Sequence, residues 1–273
     1  MRPYEALTEI EWVEVERIHD LIEKGEFESA RLSTDGMLRK RPRHPDLLIV
    51  DATLYLEESE PGLALESLKG AERCADPAQF FYLRAAASYD LARFAEARAD
   101  IEQAGAIRKA YPHSLDLLSR VLEHLGDAEG ARQAAQEAHA LDPEAFPLPL
   151  ELDAAAFDLL VERAVQELPP KIRQKLEEIP VMVQDLPTVE MLTDEEPPLS
   201  PDSLGMFVGR HIFTSSSEVG PGDPGAIFLF RLNLLRDCTD REELENEVRI
   251  TVQHEVGHLM GLDEDELDEW GLA

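Results

Sequence analysis

Four alanines recur through the amino-terminal half at a nearly constant interval: Ala30, Ala64, Ala97 and Ala131, spaced 34, 33 and 34 residues. A period of this length belongs to chains built from stacked supersecondary units, none of which can bury its apolar face alone. Seven residues after each alanine stands a second small or apolar residue, Met37, Ala71, Ala104 and Ala138. Small residues are needed where two helices cross closely. Prolines follow at Pro42, Pro77, Pro112 and Pro143, where they are expected to stop the second helix of each pair. Residues 1–143 are therefore expected to form about four helical pairs.

The turns carry a resemblance. Gly25-Glu26-Phe27-Glu28-Ser29-Ala30 is similar to the turn of a tetratricopeptide repeat, and so are Arg93-Phe94-Ala95-Glu96-Ala97 and Gly126-Asp127-Ala128-Glu129-Gly130-Ala131. The aromatic residue usual early in each such repeat is mostly missing. The resemblance implies a tetratricopeptide-like solenoid whose concave face receives a peptide or a helix of a protein partner. A basic run, Arg39-Lys40-Arg41 with Arg43 and His44, falls at an expected helix end, where cations complement the dipole.

A second feature stands near the carboxy terminus, in residues 251–264. It contains His254-Glu255-Val256-Gly257-His258. Histidines four apart on a helix share a face, with Cβ atoms about 5–6 Å apart, so both rings reach one metal ion. Glu255, beside the first of them, is placed to polarise a metal-bound water without being a ligand. Gly261 permits the left-handed turn that ends a helix, after which Asp263, Glu264 or Asp265 can return as a third ligand. Counted by fours, Leu244, Val248, Val252, Val256 and Met260 make one apolar stripe. His254 and His258 fall on the other side with Glu247 and Thr251.

His254 to Glu264 reads His-Glu-x-x-His-x-x-Gly-x-x-Glu, which resembles the small bacterial zincin-like metallopeptidases called minimal zincins. The similarity extends to residues 205–209, to residues 227–231 and to a helix beginning near Arg241, and covers roughly residues 150–273. It implies a zinc ion held by His254, His258 and Glu264, with Asp263 and Asp265 as alternatives because aspartate is the commoner acid at that place. It also implies Glu255 as the catalytic base and a peptide as substrate.

The remainder of residues 144–273 reads as a small α+β domain behind a stiff Pro-containing connector, Phe146-Pro147-Leu148-Pro149. Helices are expected at 153–167 and 171–178, and strands at 181–184, 206–209 and 226–233, with loops at 187–204 and 214–225. The run 226–233 is the candidate for the strand that lies along the cleft and takes the substrate as an added strand. Peptide hydrolysis also needs a donor for the developing oxyanion. All five tyrosines, Tyr4, Tyr55, Tyr82, Tyr89 and Tyr111, lie in the repeats. His211 and Arg231 are the remaining candidates.

Charge and cysteine content set the surroundings. A formal net charge of −31, with 29 acids against 9 bases in residues 144–273, disfavours nucleic acid and anionic membranes as partners. Cys74 and Cys238 stand alone, one in each half, which suits a reducing compartment and excludes a cysteine-based zinc site. No basic start precedes an apolar core in residues 1–12, and the longest apolar runs are around five residues, so a cytoplasmic protein is expected. The expected function is zinc-dependent peptide hydrolysis, with repeats that recruit the target. The alternative is a non-catalytic interaction protein whose zincin-like domain is stabilised by metal.

Overall fold

A computed structural model of the chain describes residues 5–176, 179–194, 197–209 and 225–259, without the side chains of Lys171, Lys175, His258 and Leu259. The chain divides into two compact units, Met1–Phe146 with Thr193–Leu199, and Pro147–Leu192 with Ser200–Ala273.

The first unit is an array of helical hairpins: α1 (Glu9–Glu23) with α2 (Phe27–Lys40), α3 (Pro45–Glu57) with α4 (Pro61–Leu68), α5 (Pro77–Asp90) with α6 (Phe94–Ile107), and α7 (Pro112–His124) with α8 (Ala128–Leu141). Ala30, Ala64, Ala97 and Ala131 each lie buried on the second helix of a hairpin. First helices also meet one another, α1 with α3, α3 with α5 and α5 with α7, which makes the array a solenoid.

Each hairpin turns on one backbone design. Gly25, Ser59, Ala92 and Gly126 have φ of 72°, 58°, 54° and 78°, and they share the spacing of the alanines. After each, an N–H reaches back to close the preceding helix: Glu26 to Leu21 O, Glu60 to Tyr55 O, Arg93 to Ser88 O and Asp127 to Leu122 O, at 2.8–2.9 Å. This is the Schellman closure that satisfies orphan carbonyls at a helix end.

The prolines act differently from expectation. Pro77 and Pro112 open α5 and α7, as Pro45 and Pro61 open α3 and α4. The first turn of a helix has no use for the missing N–H, and the fixed φ suits it. Among the described residues, the two buried carboxylates of the array, Asp51 and Asp100, are met by arginines. Arg31 bonds Asp51 at 2.6 Å and also Glu58, with its guanidinium 4.0 Å from the centre of the Tyr55 ring. Arg84 bonds Asp100 at 2.6 Å. Phe146 closes the unit: its carbonyl accepts from His139 at 2.9 Å, and its ring meets His113 edge-on at 5.0 Å.

The second unit sets helices against a three-stranded sheet. Its elements are α9 (Ala154–Glu167), α10 (Pro170–Leu176), β1 (Val181–Gln184), α11 (Val189–Leu192), β2 (Gly205–Val208), β3 (Ala226–Phe230), α12 (Arg231–Asp237) and α13 (Arg241–Leu259). The strand order is β1-β3-β2, with β1 parallel and β2 antiparallel to β3. Phe157, Leu160 and Val161 of α9, Ile227 and Leu229 of β3, and Val248, Val252 and Val256 of α13 form its core.

Three expectations change here. Residues 231–233 belong to α12 rather than to a strand, and a helical turn interrupts the expected loop at Val189–Leu192. More consequentially, β3 is the central strand. Its register with Met182 on one side and Met206 on the other runs through Phe228, so it has no open edge to offer a peptide. Among the described residues, β2 and β1 are the terminal strands.

Candidate metal centre

The helix that carries the motif begins on a well-built cap. Asp240 Oδ1 accepts from the N–H groups of Glu242 and Glu243 at 2.8 and 3.0 Å, and Glu243 accepts in turn from Thr239 N and Oγ1 at 2.7 Å. Acids in this first turn also complement the dipole. From there Leu244, Val248, Val252 and Val256 are all buried, so the apolar stripe read from the sequence is the face that α13 sets against α9 and the sheet. Met260 lies outside the described residues.

His254 is half-buried on this helix, and Glu255 is 8% exposed. A carboxylate in that position is sheltered from bulk water without being sealed off, which suits a proton carrier. His258 follows four residues later on the same unbroken helix, with its side chain outside the described residues. Glu264, Asp263, Asp265 and His211 also lie outside them. Among the described residues no three His, Cys, Asp or Glu side chains form a metal-binding group. A histidine on a continuous helix, with a second one turn later, nevertheless supplies two imidazole nitrogens of the kind that zinc takes, and leaves Glu255 between them outside the ligand set.

Arg231 is occupied elsewhere. Its Nε and Nη2 donate to Asp185 Oδ1 at 2.9 and 2.7 Å, and Nη1 approaches the Leu152 carbonyl at 3.4 Å. The guanidinium thus ties the start of α12 to the residue after β1 and to the segment before α9. This is a scaffold contact.

Three residues matter that the sequence reading passed over or placed otherwise. Asn233, expected at a strand end, is buried on α12, and its Nδ2 donates to the carbonyls of Pro201 and Ser203, both at 2.8 Å. It thereby fixes the segment that enters β2. Gly205, the first residue of β2, lies against Thr251, which is buried one helical turn before Glu255. The strand nearest the histidine-bearing face is therefore β2. The signal for this was slight: a glycine beginning a short strand, and a threonine four residues before an acid.

Titration in this region follows burial. Removal from water pushes the Glu247 carboxyl above its ordinary value, helped by the charges of Asp237 and Glu243. The Cys238 thiol is pushed up to about 12 by burial, with Asp237 and other nearby acids adding to it. Such a thiol stays protonated and inert.

Residues 176–272 match the family described as zincin-like metallopeptidase. The match supports a metallopeptidase-type fold for the carboxy-terminal unit. The family is one whose members usually bind zinc. No curated protein matches the chain. Several solved structures align with it, two of them as follows. "Crystal structure of MamA" is 21% identical with a TM-score of 0.40, over 46% of this chain and 74% of that one. "Crystal structure of MamA protein" is 20% identical with a TM-score of 0.40, over 48% and 72%. No described helix is long and apolar enough to cross a membrane.

Proposed function

We propose that the chain is a zinc-dependent metallopeptidase whose repeats bring the target protein to the catalytic unit. The observation that carries this is the His254-Glu255-x-x-His258 sequence on the continuous helix α13, inside the stretch that matches a metallopeptidase family. His254 and His258 would hold the metal with Glu264, or with Asp263 or Asp265 in its place. Bound zinc supplies Lewis-acid activation of water and of the scissile carbonyl. Glu255 takes the proton from the attacking water and passes it to the leaving amine, a task for a carboxylate sheltered beside the ligands. The peptide lies along β2, the terminal strand beside α13. The concave face of the solenoid is the surface for the protein partner. Two free, buried cysteines support a reducing, cytoplasmic setting.

A second reading has one observation in its favour. Arg231 is committed to Asp185, and residues 144–273 contain no tyrosine, so these two common oxyanion donors are not on offer; His211 lies outside the described residues. On that reading the metal stabilises an interaction module. Zinc content and hydrolysis of casein or a peptide library separate the two readings. Glu255→Gln is expected to retain zinc and lose turnover by at least about 100-fold, as removal of a general base does. Glu264→Ala is expected to weaken zinc binding by several tens-fold or more. Stoichiometric zinc without turnover in the wild type would favour the interaction module. Release of zinc by Asp263→Ala or Asp265→Ala, with Glu264→Ala neutral, would move the third ligand.

A further inference from the structure

Gly205 stands where no side chain fits. A β-carbon there would lie 2.6 Å from Thr251 Cγ2 and 3.0 Å from the carbonyl oxygen of Phe228. The first distance is far inside van der Waals contact, and the second already crowds a backbone atom. β2 is poorly placed to retreat. Asn233 holds the carbonyls of Pro201 and Ser203, Phe230 N–H donates to Leu204 O at 2.9 Å, and the strand is in register with β3 from Gly205 to Val208. The group that must yield to a side chain at position 205 is Thr251, and with it the turn of α13 that leads into His254 and Glu255.

We propose that Gly205 is a positioning residue for peptide hydrolysis. Its missing side chain sets how closely the strand beside the substrate approaches the helix that carries His254, Glu255 and His258. This rests on the metallopeptidase reading above. His254 and His258 belong to one helix, so a displacement of α13 carries both histidines and Glu255 together. Metal affinity is expected to change far less than the alignment of Glu255. What is lost is the alignment of Glu255 with a peptide lying along β2, and a misplacement of about 1 Å at a reacting centre costs on the order of 100-fold in rate.

The test uses the full chain as wild type, Gly205→Ala, Thr251→Ser, and the double variant. Thr251→Ser removes the Cγ2 atom that a β-carbon at position 205 would meet. Zinc affinity is measured on the metal-free proteins by competition with a chromophoric chelator, and kcat and KM on a peptide that the wild type cleaves. Gly205→Ala is expected to lower kcat by about 10–100-fold, with KM and zinc affinity each within about threefold of wild type. The double variant is expected to recover at least about tenfold of that loss, because the space has been returned. Parallel loss of zinc affinity and kcat, with no recovery in the double variant, would mean a merely structural glycine and would overturn the proposal. An unchanged kcat in Gly205→Ala overturns it as well. If Gly205→Ala does not fold, Thr251→Ile enlarges the same contact from the helix side, and an unchanged kcat there is equally fatal. A wild type that binds zinc and cleaves nothing defeats the metallopeptidase reading itself, an outcome distinct from the failure of Gly205 alone.

Discussion

Ser59 occupies a conformation that L-residues avoid. Its φ of 58° repeats the turn that Gly25 and Gly126 make at no steric cost, and Ala92 does the same at 54°. The left-handed region costs an L-residue about 1–2 kcal/mol, partly offset because glycine loses more freedom on folding. Ser59 is exposed, so little packing is at stake. Ser59→Gly is expected to raise stability by about 0.5–1 kcal/mol, read from urea unfolding with an unchanged slope. Glu247 gives a residue-scale expectation of the opposite kind. Its carboxyl titrates above the ordinary 4.5 in the folded chain, so the folded state binds the proton more tightly than the unfolded state. Its contribution is present at pH below 4.5 and is lost as pH rises through the folded value. Glu247→Gln should therefore raise the melting temperature of the metal-free chain at pH 7 and change it little at pH 4. Equal gains at both pH values would contradict the burial argument. At this scale the sequence was only partly legible. The period of the alanines is visible to counting, but nothing marks Ser59 or Ala92 as left-handed, because the neighbouring helices impose that conformation.

The elements show which sequence signals survive folding. The stripe from Leu244 to Val256 was readable because a helix that buries one face must repeat apolar residues near its own period. The alanines were readable for a related reason, since helices that cross closely exclude larger side chains. Ala131 is buried on α8, the helix that packs against α7. Ala131→Leu is expected to overpack this crossing and cost about 1–3 kcal/mol, measured by thermal or denaturant unfolding. An unaffected melting curve would mean that the crossing lies elsewhere. Helix ends and strand order were harder. A proline after a helix and a proline at the start of the next look alike in sequence, and the choice between them depends on where the turn falls. The run 226–230 has the composition of a strand, yet whether it is central or terminal depends on which strands pair with it. Asn233 became informative only once α12 placed its amide against two carbonyls of the segment entering β2.

For the whole molecule, the core clusters keep to their own units. One is drawn from residues 157–256, and the others from Leu7 to Ala87. We propose on this ground that the carboxy-terminal unit folds independently, and a fragment starting at residue 147 is expected to melt cooperatively. Zinc at 100 times its Kd should add about 2.7 kcal/mol, visible as a rise in melting temperature. A fragment that stays unfolded in zinc would show that the two units depend on one another. Local order in the chain was enough to announce helical pairs, a motif helix with its apolar back, and a short-stranded α+β unit after the repeats. These follow from periodicity and turn chemistry, which act over a few residues. The placement of β2 beside α13, the central position of β3, the diversion of Arg231 to Asp185 and the close approach of Gly205 to Thr251 were decided by tertiary structure alone. Each joins residues tens of positions apart, and such contacts arise from packing that no stretch of sequence contains by itself.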